Sequence, residues 1–186
     1  MYKQSNEAKL AYQSAERTLD IVVNVNGVDY KATDIEQFDY DSGGYTGDTF
    51  SIGSTYENNI TVKFIHLVEG LKRGMIVKPR IGIKLPNGTF EYTPLGVFII
   101  ADEIQMDRNN NSTTIKAYDK FVVMEGQYIS KLTYPANAVD IITEIAQMCK
   151  VDVNTNDLAH LPTIKVSKAI TKQSYRTAIG WIAQLY

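Results

Sequence analysis

The sequence predicts an α+β chain: a mainly antiparallel β-body, with a helical segment before it and a small α/β segment after it. Three observations carry this. Between Leu19 and Tyr118, apolar residues recur at period two in short runs. Asn26-Gly27, Pro86-Asn87-Gly88 and Arg108-Asn109-Asn110-Asn111-Ser112 punctuate those runs with hairpin chemistry. Before Leu19 and after Pro135, the period lengthens to that of helices. Many short strands separated by turns describe a sandwich or a barrel, and the pattern leaves both open.

The elements follow in chain order. Ser5 is placed to cap a first helix, with Ala8, Ala11, Tyr12 and Ala15 at helical spacing. That helix is weakly apolar, so it reads as an N-terminal arm (1–18) outside the β-body, in need of a neighbour to stay ordered. Ile21, Val23 and Val25 begin the strands. Asn26-Gly27 turns the chain, because both residues tolerate positive φ, and 28–31 returns. Further strands are expected over 35–40, 49–52, 60–65, 76–85, 90–93, 96–106 and 113–118. Pro79 has no N–H to donate, which predicts an edge or bulged position. A composition shift near residue 130 marks a boundary, giving a β-domain over 19–130 and an α/β domain over 131–186. In the latter, Asn137 with Asp140 resembles a capping box before a helix whose stripe is Val139, Ile142, Ala146 and Cys149, widened by Ile141, Ile145 and Met148. A short strand at 164–166 follows. Ser174 then caps a last helix with the stripe Tyr175, Ala178, Ile179, Ile182 and Ala183. Trp181 and Leu185 lie off that stripe and the helix ends uncapped, which leads us to expect that the natural chain continues.

Composition narrows the function classes. The 186 residues are 44% hydrophobic and 22% charged, enough to build a core and too apolar for disorder. A net charge of -2 argues against a free nucleic-acid binder. The single cysteine, Cys149, makes no internal disulfide, and no apolar run reaches membrane-span length. The polar first residues do not read as a signal peptide.

Most candidate sites have a simpler structural reading. Gly43-Gly44-Tyr45-Thr46-Gly47 lacks the lysine of a phosphate loop. Asp39, Asp41 and Asp48 lack the remaining ligands of a calcium loop. His66, His160 and Cys149 match no zinc or nucleophile motif. Glu103 and Asp107, with Glu91 and Asp102 nearby, are the residues a glycosidase reading would use, although surface alternation explains them. The twelve tyrosines, among them Tyr40, Tyr45, Tyr56, Tyr92, Tyr118, Tyr128 and Tyr134, favour interaction surfaces. Together with Asn109–Asn111 they also allow a carbohydrate- or receptor-binding module. One stripe is kept. In 77–85, Val77, Pro79, Ile81, Ile83 and Leu85 take one strand face and Lys78, Arg80 and Lys84 the other. Such a basic stripe suits either a solvated face or the wall of a channel that passes DNA without reading its sequence.

The run of motifs carries a resemblance. Asn26-Gly27, Phe50-Ser51-Ile52-Gly53, Ile60-Thr61-Val62-Lys63-Phe64, Pro94-Leu95-Gly96-Val97-Phe98, Ile115-Lys116-Ala117-Tyr118-Asp119 and Tyr134-Pro135 before Ile141-Ile142 follow one another as in the N-terminal part of phage and prophage baseplate-hub, or tail-associated, proteins. The chain resembles that family from about Leu19 to Tyr186. The resemblance implies a β-barrel related to tail-tube barrels over 19–130 and the start of an α/β domain after it. It also implies a trimeric ring that joins tail-tube and tail-tip or fibre proteins, and a virion protein made in the bacterial cytoplasm. It brings no cofactor, no metal and no catalytic residue.

Overall fold

The computed structural model describes residues 4–42 and 57–186. The strand predicted over 49–52, the glycines of the 43–47 loop, Asp48, Tyr45 and Tyr56 lie outside the described residues. The described chain forms two compact units: residues 4–42 with 58–119, and Glu57 with 120–186.

The first unit is an antiparallel sheet of nine strands among the described residues. They are β1 (Leu19–Val25), β2 (Val28–Lys31), β3 (Ile35–Asp41), β4 (Asn59–Phe64), β5 (Ile76–Lys84), β6 (Phe90–Pro94), β7 (Phe98–Ile100), β8 (Gln105–Asp107) and β9 (Ser112–Asp119). The hydrogen-bonded path runs β2-β1-β5-β7-β9-β4-β3, with β6 beside β5 and β8 beside β9. The path curls until its ends approach, giving a nearly closed barrel, so of the two architectures the sequence allowed, the barrel is the one formed. Its filling explains why. Val23, Val25, Ile60, Val62, Phe64, Val77, Phe98, Ile100, Ile115 and Ala117 form one buried cluster, and Tyr30 of β2 and Phe38 of β3 pack on it from the two ends of the path. The rings of Tyr30 and Phe64 lie 4.8 Å apart. A 3₁₀ turn, Ala32–Asp34, spans the seam between β2 and β3. Asp34 O accepts the Ile65 N–H at 3.1 Å and ties that turn to the end of β4.

The hairpins follow the turn chemistry. Val25 pairs with Val28, which leaves Asn26 and Gly27 as a two-residue loop at φ 49° and 96°. At 86–88, Gly88 takes φ 86° as Leu85 and Thr89 close the turn.

In the first unit, three sequence expectations are revised. The single strand predicted over 96–106 is broken into β7 and β8. Ile100 faces Ala117 while Gln105 faces Thr114, so the four residues 101–104 stand against only residues 115 and 116. This is an irregular bulge with two extra residues on one side, and no glycine or proline marks it in the sequence. Second, Pro79 is not on an edge. β5 is an internal strand, paired with β1 along its length. On the other side its partner changes from β7 (Val77 with Phe98) to β6 (Arg80 with Pro94). Pro79 O accepts from Leu95 N on that side, so the proline nitrogen faces the changeover, where no ladder bond is needed.

Third, the N-terminal helix α1 (Asn6–Gln13) is not detached from the β-body. Ser5 caps it, accepting the Ala8 N–H at 3.0 Å. The same serine donates its hydroxyl (2.6 Å) and its N–H (2.8 Å) to Glu91 of β6. Gln4 Nε2 donates to Thr93 Oγ1 at 3.0 Å. Glu91 and Thr93 pair with Ile83 and Ile81, so they share the core-side face of β5 and β6. The arm therefore lies on that face, with Ala8 buried. The neighbour it needs is its own sheet.

The second unit holds α2 (Ala138–Cys149), α3 (Thr155–Ala159), α4 (Tyr175–Ala183) and the two-stranded β10 (Ala136–Asn137) and β11 (Lys165–Val166). A 3₁₀ helix, Lys120–Met124, precedes them. The core is Tyr128, Ala136, Ala138, Ile141, Ile145, Ile170, Ala178 and Ile182. α2 buries Ala138, Ile141, Ile145 and Ala146, with Ile142, Met148 and Cys149 at the margin of the core. Ala146 belongs to the stripe read off the sequence, and burial centres on Ile141 and Ile145, which widened it. α2 ends with Lys150 at φ 54°, where Val151 N bonds to Ala146 O at 2.8 Å. That is a left-handed stop without the usual glycine.

The two predicted caps differ. Ser174 Oγ accepts the Thr177 N–H at 3.1 Å. Asn137 occupies the N-cap position but makes no side-chain cap bond, and its buried Oδ1 is unpartnered. The expected Asn137–Asp140 box is absent because Asn137 is also a strand residue, and Ala138 N–H is bonded to Ile164 O at 2.9 Å. Ser174→Ala is therefore expected to cost about 1 kcal/mol, and Asn137→Ala less than about 0.5 kcal/mol, in denaturant unfolding followed by Trp181 fluorescence.

Candidate functional site

The basic stripe singled out from the sequence sits on the outer wall of the barrel. Along β5, Val77, Pro79 and Ile83 are buried, whereas Lys78 and Lys84 are exposed and Arg80 is half-buried. Register builds the surface around them. Arg80 faces Val22 and Lys78 faces Asn24 across β1, and Gly82 lies between Asp20 and Tyr92. β2 adds Asp29 and Lys31, opposite Asn24 and Val22. The stripe is not uniformly basic. Arg80 Nη2 is 2.6 Å from Asp29 Oδ2 and its guanidinium lies 5.4 Å from the Tyr92 ring centre. Hydrogen bonds from Asn24 and then Arg80 hold the Asp29 carboxyl below its ordinary range. Tyr92 donates its hydroxyl to Asp20, which raises the phenol above its usual value. Among the described residues, Lys78 and Lys84 make no ion pair and stand exposed at the two ends.

Gly82 explains how Tyr92 is held. A Cβ at residue 82 would come within 2.8 Å of the Tyr92 ring, so the ring rests on bare backbone. Phe90 stands on the same strand face, its ring 6.2 Å from that of Tyr92.

The other sequence candidates are distributed rather than convergent. Asp107 holds the hairpin tip. It accepts from Asn109 N at 2.9 Å, Asn110 N at 3.1 Å and Asn110 Nδ2 at 2.7 Å, bonds that lower its pKa, those from Asn110 foremost. Glu103 is exposed, 4.0 Å from Arg73. Glu91 is bound by Ser5, whose hydroxyl and then backbone N–H keep it ionised to lower pH than usual. Asp102 accepts the Tyr118 hydroxyl at 2.7 Å. Asp39 and Asp41 accept from Gln37 and Asn59. His66 packs with Tyr30 and Phe64, while His160 ends α3. Cys149 lies at the margin of the second core, where burial pushes its thiol up. Among the described residues, no group of three or more His, Cys, Asp and Glu is placed to hold a metal ion, and no helix is long and apolar enough to cross a membrane. The tyrosines are also less available than their number implied: Tyr128 is buried and Tyr134 donates to Ser130 Oγ at 3.1 Å.

Sequence reasoning missed the polar centre of the second unit. Glu144 of α2 accepts from the Tyr128 hydroxyl at 2.5 Å, Ser130 Oγ at 2.8 Å and Lys131 N at 2.7 Å. Burial raises the Glu144 pKa, but the bonds from Tyr128, Lys131 and Ser130 outweigh it and leave the carboxyl below its usual range. Tyr128 is shifted upward, by burial first and by Glu144 second. The available signal was a lone glutamate at the flank of an apolar helix stripe, with hydroxyl residues clustered at 128–134.

No protein-family model matches the chain, and none of the curated proteins does. Its fold is similar to that of a chain in the half-lidded Francisella PdpA–VgrG complex. The TM-score is 0.55 at 14% identity, over 96% of this chain and 30% of that one. The lidded Francisella complex gives 0.45 at 14% identity over 82% and 24%, and a lidless PdpA–VgrG complex 0.47 at 13% over 85% and 30%. Those two scores are too low to add to the comparison. The chain spans about a third of the length of the solved chain it matches, and at this identity the likeness concerns fold alone.

Two outcomes test the site geometry. Gly82→Ala is expected to destabilise by about 1–3 kcal/mol by displacing the Tyr92 ring. Most of that cost should vanish in a Tyr92→Ala background, as read by a double-mutant cycle of thermal unfolding. In the second unit, a lowered Glu144 pKa means stability that is full above the ordinary glutamate range, near pH 4.3, and lost as pH falls through the depressed folded-state value. Glu144→Gln should cost about 1–3 kcal/mol at pH 7. It should also flatten the acid limb of an unfolding-versus-pH curve monitored at Trp181.

Proposed function

We propose that this chain is a structural component of a phage-type tail tip or baseplate hub. In this reading, copies form a ring, a homotrimer, that connects the tail tube to distal tip or fibre proteins, and DNA passes through without being read. The observation that carries the proposal is the fold likeness to a chain of a complex with VgrG over 96% of this chain. It agrees with the order of motifs that resembles tail hubs. The barrel supplies what such a role needs. Among the described residues, β2, β3, β6 and β8 are each paired on one side only. A wall with distinct faces also suits the head-to-tail contact that closes a ring. Of the carboxylates a hydrolase reading would use, Glu91, Asp102 and Asp107 are bound by Ser5, Tyr118 and Asn110, which favours a non-enzymatic role.

The test is made on particles. Tails purified from the bacterium that encodes the chain should contain it as a stoichiometric component, and antibody raised against residues 58–119 should decorate one end of each tail. Deleting the gene should leave tubes without a tip, or no tubes. Tails that lack the protein, or normal tails from the deletion strain, overturn the proposal.

A further inference from the structure

We propose that the outer face of β5 and β6 binds a saccharide chain that carries carboxylate groups. The inference is independent of the ring, since it uses only this face.

A flat aromatic surface comes first. Tyr92 rests on the Gly82 backbone, with the Arg80 guanidinium 5.4 Å from its ring centre, and is still 37% exposed. Phe90 follows at 6.2 Å, with its plane tilted by 34°. Two neighbouring rings on one strand face, one of them held down by a glycine, form a stacking surface for the apolar faces of successive sugar rings.

The polar groups are arranged along the same line. In register, Lys84 stands beside Phe90, Gly82 beside Tyr92 and Arg80 beside Pro94, and Lys78 lies one step further on that face. From Lys84 to Lys78 the track is about 20 Å long. Asp20 and Asp29 sit within it and accept hydrogen bonds, as sugar hydroxyls require. The face carries four cations, Lys31, Lys78, Arg80 and Lys84, against those two carboxylates. That small positive excess suits a ligand with sparse negative charge. A nucleic-acid strand, with a phosphate at every step, would meet Asp20 and Asp29 and find Arg80 already paired with Asp29 at 2.6 Å. A polyuronide, with one carboxylate per ring, would place rings on Tyr92 and Phe90 and charges on Lys84 and Lys78.

The experiment titrates the whole chain with tetragalacturonate, with its methyl ester and with an eight-residue oligothymidylate, by calorimetry and by amide NMR shifts. The expected result is saturable binding of the free acid that weakens with salt, shifts confined to β1, β5 and β6, and binding of the uncharged ester at least about tenfold weaker. A Lys78→Gln/Lys84→Gln double variant should melt at the wild-type temperature and lose about tenfold in affinity, and Tyr92→Ala should lose binding. Absence of saturable binding, equal binding of the ester, tighter binding of oligothymidylate, or an unaffected lysine double variant would each overturn the proposal. The lysine variant keeps the test decisive even where Tyr92→Ala disturbs the sheet.

Discussion

The ladder between β1 and β5 is the constraint on which the first unit rests. Leu19 stands opposite Ile83 and the register holds to Val25 opposite Val77. Because strand side chains alternate, a slip of one residue would turn Val77 and Ile83 outward and drive Lys78, Arg80 and Lys84 into the core. The same register sets the second side of β5, where β7 gives way to β6 at Pro79. Below the changeover the sheet continues into β7, β9 and β4 and curls into the barrel. Above it, β1, β5 and β6 extend as a three-stranded ribbon with two distinct faces. The core-side face receives α1, and the outer face carries Tyr92, Phe90 and the cations.

Carboxylates do much of the fastening in both units. Glu91 secures the start of α1, Asp107 closes the hairpin tip and Asp119 receives both the backbone and the side-chain N–H of Asn58. In the second unit Glu144 binds three donors from the 128–131 segment, and Arg176 joins Glu57 and Glu125 at 3.0 Å each. Buried hydroxyls follow the same rule of satisfaction. Thr113, buried at the start of β9, accepts the Val68 N–H at 2.9 Å and so holds the segment after β4 on the barrel.

Where local chemistry decided the outcome, the sequence was readable. Asn26-Gly27, Gly88, Ser5 and Ser174 act as their residue types predict, and the alternation in β5 correctly separated core from stripe. What could not be read depended on partners distant in the chain. The bulge at 101–104 is set by pairing with β9. The position of Pro79 follows from a change of neighbour some fifteen residues further along. Asn137 loses its cap role to a strand that begins near residue 165. The stop at Lys150 carries no glycine to announce it. For the candidate face, Lys78, Arg80 and Lys84 could be read as a row from their alternation alone. Their meaning changed once register brought Asp29 onto Arg80 and set Tyr92 over Gly82.

The incomplete closure of the barrel has its own consequence. An open β-wall invites runaway stacking of copies, yet among the described residues two of its one-sided strands, β3 and β6, are irregular. The ladder of β3 slips between Ile35 and Gln37, and β6 ends in Pro94, which has no hydrogen to offer. A stray extended peptide finds no long, even template on those two strands, so there geometry screens partners before any side chain is consulted.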